Sequence, residues 1–184
     1  MRLVAMPATP LHCSVVYVIN RWKERLSLPG LLVSSMVPDL EIPTLFLMTG
    51  GLQDRLVLHS LLGAGTLCMF LSVLLTVFFY PHVVSFFFKL DRKKVEKKCR
   101  LSITLILSCV IGGLSHVFID SMTHEFNPVF YPIVKESFDT FVLTNDLALA
   151  TAIVRYVLIG LLILFFVDEI RRGTKDFWMR MLVG

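Results

Sequence analysis

Three long apolar stretches dominate the pattern of hydrophobic and polar residues along the chain. Ser60–Phe88 and Leu101–Ile119 contain no formal charge, and Leu147–Val167 contains only Arg155. A helix needs about 20 apolar residues to cross the hydrocarbon core of a bilayer, so each stretch predicts a transmembrane helix. Because Tyr156–Val167 alone is too short to cross, we expect Arg155 to lie below the membrane surface and to face protein.

The first 58 residues are less regular. Leu11–Ile19 is apolar but short, and three prolines and two acidic residues interrupt Leu26–Met48. Two interpretations are open: short helices that lie in or dip into one membrane face, or a tight hairpin whose turn, Arg21–Arg25, reaches the opposite face. The first is favoured because Leu11–Ile19 is shorter than a crossing requires. The sequence therefore predicts an all-α helical membrane bundle with three to five spans.

Composition agrees with this class of protein. Of the 184 residues, 55% are hydrophobic and 17% are charged, and the mean hydropathy is +0.75, which is too apolar for a soluble domain. The chain has no linker-like segment, so we expect one domain over residues 1–184, with ligand-bearing short helices and loops (1–58), a transmembrane core (59–170) and a tail (171–184). The four cysteines lack CxxC spacing and predict no disulfide framework.

The loops predict the orientation. Lys89–Arg100 contains seven Lys and Arg residues, and the tail after Ile170 contains four more, so the positive-inside rule places both in the cytoplasm. The loop Glu125–Asp146 is acidic and should lie outside. The formal charge of +4 thus reflects membrane orientation and does not indicate nucleic-acid binding.

The segment Leu114–Glu125 carries the most informative chemistry, because it ends an apolar run with two histidines and two carboxylates. In a helix, His116, Asp120 and His124 are spaced four residues apart and share one face. Ionisable groups this close to a membrane core usually face a partner, an ion or a substrate. Imidazole and carboxylate groups are good ligands for zinc or a similar divalent metal. A solvated helix end is the alternative interpretation.

Three further polar segments interrupt the apolar pattern, Pro7–His12, Ser34–Glu41 and Asp54–Ser60. In the first, Thr9 could cap a helix that Pro10 begins. The candidate residues of the three segments are His12, Asp39, Arg55 and His59. The predicted topology places four of the five histidines in one layer on the outer side, and His82 is interpreted as structural.

The motifs Thr-x-x-His, Ser-x-x-Pro-Asp-Leu, Arg-x-x-x-His-Ser and Leu-Ser-His-x-x-x-Asp-Ser-x-Thr-His follow one another between Met6 and Glu125. This order resembles a family of small prokaryotic membrane proteins described as membrane-bound metal-dependent hydrolases, regarded as distant relatives of zinc-dependent phospholipase C and P1 nuclease. The resemblance implies that one or two zinc ions are held by His12, Asp39, His59, His116, Asp120 and His124. Asp54 stands where relatives often have a histidine and could still be a ligand, and Leu58 replaces a threonine, which leaves the number of ions open.

The function implied is hydrolysis of a phosphoester, such as a lipid phosphoester, at the outer membrane face. Asp120 would bind the metal or orient a neighbouring histidine. Arg55 and Arg155 are candidate phosphate clamps, although interfacial anchoring of Arg55 and a buried ion pair of Arg155 with Asp120 or Glu125 are equally open. The alternative function is metal binding without catalysis, in a transport subunit or a scaffold. Transport sites usually lie near the bilayer midplane between repeated halves, which this pattern lacks.

Overall fold

The protein is described here by a computed structural model that covers residues 9–23, 25–50 and 55–184. All regular secondary structure within these ranges is helical. A 3₁₀ turn, Thr9–His12, precedes α1 (Cys13–Trp22), and a second 3₁₀ turn, Val37–Leu40, lies between α2 and α3. The other helices are α2 (Leu28–Ser34), α3 (Glu41–Thr49), α4 (Leu61–Phe88), α5 (Arg92–Lys98), α6 (Ile103–Asp120), α7 (Leu147–Arg171) and α8 (Phe177–Leu182).

Four helical stretches are long and apolar enough to span a membrane. Three of them, α4, α6 and α7, confirm the predicted spans to within a turn of helix. The fourth, Leu28–Thr49, consists of α2, the 3₁₀ turn and α3, and it falls where prolines and acidic residues made the pattern irregular. The chain is therefore an all-α integral membrane protein with four candidate spans, within the predicted range of three to five.

Short polar side chains determine where the long helices begin. The side chains of Ser60, Ser102 and Asp146 accept hydrogen bonds from backbone N–H groups in the first turns of α4, α6 and α7. These bonds satisfy N–H groups that have no partner inside a helix. Because Ser60 caps α4, the preceding residue, His59, lies at the entrance of that span.

The N-terminal helices form an antiparallel hairpin. The Cys13 Sγ atom, at the start of α1, lies 3.9 Å from the Ser35 Oγ atom, just after α2. At the other end, the Arg21 guanidinium donates a 2.6 Å hydrogen bond to Asp168, near the end of α7. The turn of the hairpin thus lies beside the end of the last span. The two helices are short, with 10 and 7 residues, as the sequence predicted. Whether the hairpin dips into one membrane face or carries its turn to the opposite face stays a prediction.

Close packing on α6 brings the site together. A Cβ atom added to Gly112 would lie 2.0 Å from Ser34 Oγ and 2.7 Å from the Leu31 carbonyl oxygen, so α2 approaches α6 where only glycine fits. On the neighbouring position, a Cβ on Gly113 would lie 3.1 Å from Cys68 Sγ in α4. Small residues permit such backbone approach between membrane helices. The approach places the end of α2 against the last turns of α6.

The basic loop and the tail share one end of the bundle, here called the basic end. Val95 of α5 and Cys99, which directly follows α5, are buried against Val183 in the tail. The Tyr80 hydroxyl donates a 2.7 Å hydrogen bond to the Leu182 carbonyl oxygen. The two most basic segments therefore lie together, as the charge pattern predicted, and the polar ends of α2, α4 and α6 meet at the opposite end.

Candidate metal centre

Four acidic and histidine side chains converge at that opposite end. Asp39 comes from the second 3₁₀ turn, His59 from the entrance of α4, and His116 and Asp120 from successive turns of α6. One ligand atom from each residue lies within 4.8 Å of the ligand atoms of the other three. Here these four residues are called the cluster. Their side chains are 0–6% exposed except for Asp39, at 15%.

The separations within the cluster match the size of a coordination shell. The His116 Nε2 atom lies 3.4 Å from Asp39 Oδ1 and 3.4 Å from Asp120 Oδ2. The His59 Nε2 atom lies 3.8 Å and 3.6 Å from the same two oxygens. A tetrahedral ion with ligand bonds of about 2.0–2.2 Å separates its ligand atoms by roughly 3.3–3.6 Å. The four residues therefore fit one divalent ion with only small adjustments.

Hydrogen bonds on the far side of each ring orient the two imidazoles. His116 Nδ1 lies 2.8 Å from the Ser35 carbonyl oxygen, which can only accept, so Nδ1 carries the proton. His59 Nδ1 lies 3.0 Å from Glu41 Oε2 in the same way. Neither Nε2 atom has a hydrogen-bond partner among the described residues. In the neutral rings these nitrogens are acceptors that face carboxylate acceptors, an arrangement that a cation or added protons must relieve.

Glu41 is the supporting residue that the sequence interpretation missed. Its carboxylate accepts hydrogen bonds from the backbone N–H groups of Leu56, Val57 and Leu58, at 2.7–3.2 Å, as well as contacting the His59 ring. It thereby joins the start of α3 to the segment that enters α4. The signal available in the sequence was its place two residues after Asp39, within an apolar segment.

His12 lies against the cluster without belonging to it. Its Nε2 atom is 3.4 Å from Asp120 Oδ1, the oxygen that faces away from the other histidines. Its ring stacks on His116 with the ring centroids 4.1 Å apart. Burial lowers the pKa of His12 to about 4, so the ring is neutral at physiological pH. The Asp120 carboxylate thus faces the two cluster histidines with Oδ2 and the neutral His12 ring with Oδ1.

His124 is not one of the four residues of the cluster, although it lies close enough to interact electrostatically with Asp120 and His59. It follows the end of α6, and its Nδ1 atom turns back to the Asp120 carbonyl oxygen at 2.9 Å and to the Thr123 hydroxyl at 3.0 Å. Burial lowers the pKa of this histidine. Because α6 ends at Asp120, the position of His124 is determined by the turn that follows the helix. A ligand role for His124 stays a prediction.

The two predicted arginines differ in position. Arg55 is buried, and its Nε atom lies 3.4 Å from Asp120 Oδ2, so the guanidinium is beside the cluster. Arg155 is half-buried on α7, one turn after Thr151, whose hydroxyl donates a 3.4 Å hydrogen bond to the Thr123 carbonyl oxygen. Among the described residues, Asp120 makes ion-pair contacts with His12, Arg55, His59 and His116. Asp54, the further possible ligand, lies outside the described residues.

The fold and this geometry define the class: a polytopic helical membrane protein with a largely buried histidine–aspartate cluster that could hold a metal ion. A family model described as a domain of unknown function, DUF4184, matches residues 6–167. The chain therefore belongs to the DUF4184 family. No curated protein and no solved structure matches the chain. The match names no activity, so the expected relation to phospholipase C and P1 nuclease stays a prediction.

Proposed function

We propose that the cluster binds a divalent metal ion, most suitably zinc, through Asp39, His59, His116 and Asp120. The observation that carries this proposal is the set of four separations of 3.4–3.8 Å among two imidazole nitrogens and two carboxylate oxygens. Both ring nitrogens are pre-oriented by hydrogen bonds on the opposite side of the ring, as is usual for metal-binding histidines.

Charge balance supports a bound cation. The Asp120 carboxylate is buried, the Asp39 carboxylate is half-buried, and the Arg55 guanidinium lies beside Asp120. With neutral imidazoles these three charged side chains have a net negative charge, which is costly in a site near a membrane core. A bound divalent ion would balance this negative charge, and it would also give the Nε2 atoms of His59 and His116 a partner. His12 is the residue best placed to assist a second ion, through the other oxygen of Asp120.

We infer that the metal-loaded site hydrolyses a phosphoester, as the resemblance in the sequence implies. Water adds to phosphorus, the ester P–O bond breaks, and the alcohol leaves with a proton. A bound divalent ion supplies polarisation of the phosphoryl oxygen and a lowered pKa of water. Arg55, beside Asp120, is placed to contact phosphoryl oxygens with its planar guanidinium. Arg155 is a second candidate for that role.

The acidic and basic loops support an extracytoplasmic site. The basic end carries Lys89–Arg100 and the tail, and the positive-inside rule assigns it to the cytoplasm. The cluster lies at the other end of the bundle, next to the acidic loop Glu125–Asp146. A lipid phosphoester or another amphiphile at the outer face of the cell membrane is the corresponding substrate.

A second function, metal binding without turnover, is favoured by one specific observation. Four protein ligands are enough to complete a tetrahedral shell, which is typical of structural zinc sites, whereas catalytic zinc usually has three and an open position. The partial exposure of Asp39 supports the catalytic function instead, because a ligand at the edge of the site can be displaced by substrate.

The test uses detergent-purified protein and two measurements. Metal content by mass spectrometry should be near one ion per chain in the wild type and near zero in Asp120→Ala. Hydrolysis of bis-p-nitrophenyl phosphate should follow the metal content. Glu125→Ala, which removes an exposed carboxylate in the adjacent loop, is the matched control and should change neither. Metal without hydrolysis supports the scaffold function, and protein that takes up neither zinc nor manganese overturns both.

A further inference from the structure

The loop between α6 and α7 presents an apolar surface at the cluster end of the bundle. The segment Phe130–Val134, here called the loop tip, contains no charged residue, although the loop around it is acidic. The Ile133 side chain is 85% exposed, and those of Phe130 and Val134 are 43% and 40% exposed. Large apolar side chains that lie together on a surface usually contact a partner or a membrane.

The loop tip is joined to the lipid-facing side of α6. Ile103, Leu107 and Phe118 are exposed along this helix. They are four and eleven residues apart, and both spacings return to the same side of a helix with 3.6 residues per turn. From Phe118, a series of ring contacts with centroid separations of 4.9–5.4 Å leads to the loop tip through Phe141, Phe138 and Phe130.

Two attachments set the depth of the loop tip. The Leu61 N–H group donates a 2.9 Å hydrogen bond to the carbonyl oxygen of Val129, directly before the tip. Leu61 is the first residue of α4, and Phe118 lies in the last turn of α6. Both helices are candidate membrane spans, and both residues lie at the cluster end of their span. The loop tip is therefore held near the boundary between hydrocarbon and water.

The backbone of the loop tip is suited to weak hydration, where unpaired N–H groups are costly. The N–H groups of Ile133 and Val134 both donate to the Phe130 carbonyl oxygen, at 3.0 and 3.1 Å, and Tyr131 donates to Pro128 at 3.1 Å. Pro132 has no N–H group. Four of the five residues thus leave no backbone donor unpaired. Phe130 and Tyr131 also belong to the aromatic class, of which Tyr in particular is enriched at membrane interfaces.

We propose that the loop tip inserts into the head-group region of the leaflet at the cluster end and anchors the α6–α7 loop to the bilayer. The partner is the lipid that surrounds α6, because an unbroken series of aromatic contacts joins the exposed side of that helix to the tip. Lys135 and Glu136 follow the tip and return the chain to water. The anchor uses no cluster residue, so it is independent of metal binding.

Spin labels on single cysteines measure the depth of the loop tip in nanodiscs of phosphatidylcholine and phosphatidylglycerol. Cys13→Ser is the background, because the other three native cysteines are buried. We expect the label at Ile133→Cys to collide more with oxygen, which enters the bilayer, than with nickel ethylenediaminediacetate, which stays in water. Val157→Cys, exposed along α7, is the lipid control, and Glu125→Cys, exposed in the same loop, is the water control.

The label at position 133 should fall between these two controls. A label that matches Glu125→Cys lies in water and overturns the proposal. A label that neither reagent reaches is covered by protein, such as a second copy of the chain, and overturns the proposal as well.

A charge in the loop tip provides the second test, with the label moved to Val134→Cys. Burial of one aliphatic side chain favours an apolar environment by about tenfold or more, so Ile133→Asp should increase collisions with the nickel reagent at position 134 by about tenfold. Ile133→Leu is the matched control and should leave them unchanged. A label at Val157→Cys checks that the spans stay inserted in both variants. Equal collision rates in Ile133→Asp and Ile133→Leu contradict the proposal.

Discussion

The two ends of the bundle use the same kinds of residue in opposite ways. At the basic end, Glu169 is buried between Arg21 and Arg180, which contact its two oxygens. Arg180 also donates hydrogen bonds to the Gly173 carbonyl oxygen at 2.6 Å and the Glu169 carbonyl oxygen at 3.1 Å. Donors and acceptors are matched there, so the network is complete without any ligand.

At the cluster end, acceptors face acceptors. The Nε2 atoms of His59 and His116 point at the carboxylates of Asp39 and Asp120, while their Nδ1 atoms are held by other acceptors. The two ends are joined by α7, along which Thr151 and Asp168 are separated by about 26 Å of helix. Both ends contain buried charged groups, so buried charge alone does not distinguish them. The mismatch between donors and acceptors does, and for that reason we propose the metal site at the cluster end.

The largest effect on stability is expected from removing the buried Glu169 carboxylate at the basic end. Glu169→Ala leaves Arg21 and Arg180 without their buried partner and should lower the free energy of unfolding by about 2–4 kcal/mol, because both arginines are only partly exposed. Thermal unfolding in detergent measures this. Asp168→Ala, which removes a half-exposed carboxylate, is the control and should cost less than about 1 kcal/mol. Zinc affinity should be unchanged in both variants, and a loss of zinc would contradict the separation of the two ends.

A metal ion should stabilise only a protein with an intact cluster. Zinc at about 100 times its dissociation constant should raise the free energy of unfolding of the wild type by about 2.7 kcal/mol. The same concentration should leave His116→Ala unchanged, because that variant lacks a central ligand. The measurement is the thermal midpoint with zinc and with a chelator. Equal stabilisation of both proteins would place the zinc elsewhere.

The support of His59 by Glu41 predicts a smaller change. Glu41→Gln weakens the hydrogen bond that orients the His59 ring and should reduce zinc affinity roughly 10–100-fold. Competition titration with a zinc-binding dye measures this affinity. Glu125→Gln, at an exposed acidic position close to the same end, is the control and should bind zinc like the wild type. Normal affinity in Glu41→Gln would show that the ring is held by packing alone.

The smallest effect, about tenfold per pH unit for each proton displaced, concerns pH. Metal ligands must be deprotonated, so zinc affinity should fall as the solution is acidified and the ligand histidines take up protons. The contribution of zinc to stability is therefore present at neutral pH and lost on acidification. His12, whose pKa is lowered to about 4, takes up little charge in this range. Affinity that is flat between pH 5 and pH 7 would argue against histidine ligands.

The sequence by itself determined the class of the protein and the chemistry available to it. Uninterrupted apolar length predicts α4, α6 and α7, because crossing a bilayer sets a minimum number of apolar residues. Helical periodicity also places His116 and Asp120 together, since residues four apart share a face. These are local properties, and local spacing is enough to derive them.

The tertiary structure alone decided which residues meet. Contact between the 3₁₀ turn of Asp39 and the end of α6 depends on the close packing at Gly112, and the role of Glu41 depends on the path of the chain into α4. The same is true of the N-terminal hairpin, which is held by the ion pair of Arg21 with Asp168. Separations of a few ångströms between residues distant in sequence are determined by packing, and neither hydrophobic pattern nor residue type specifies packing at that precision.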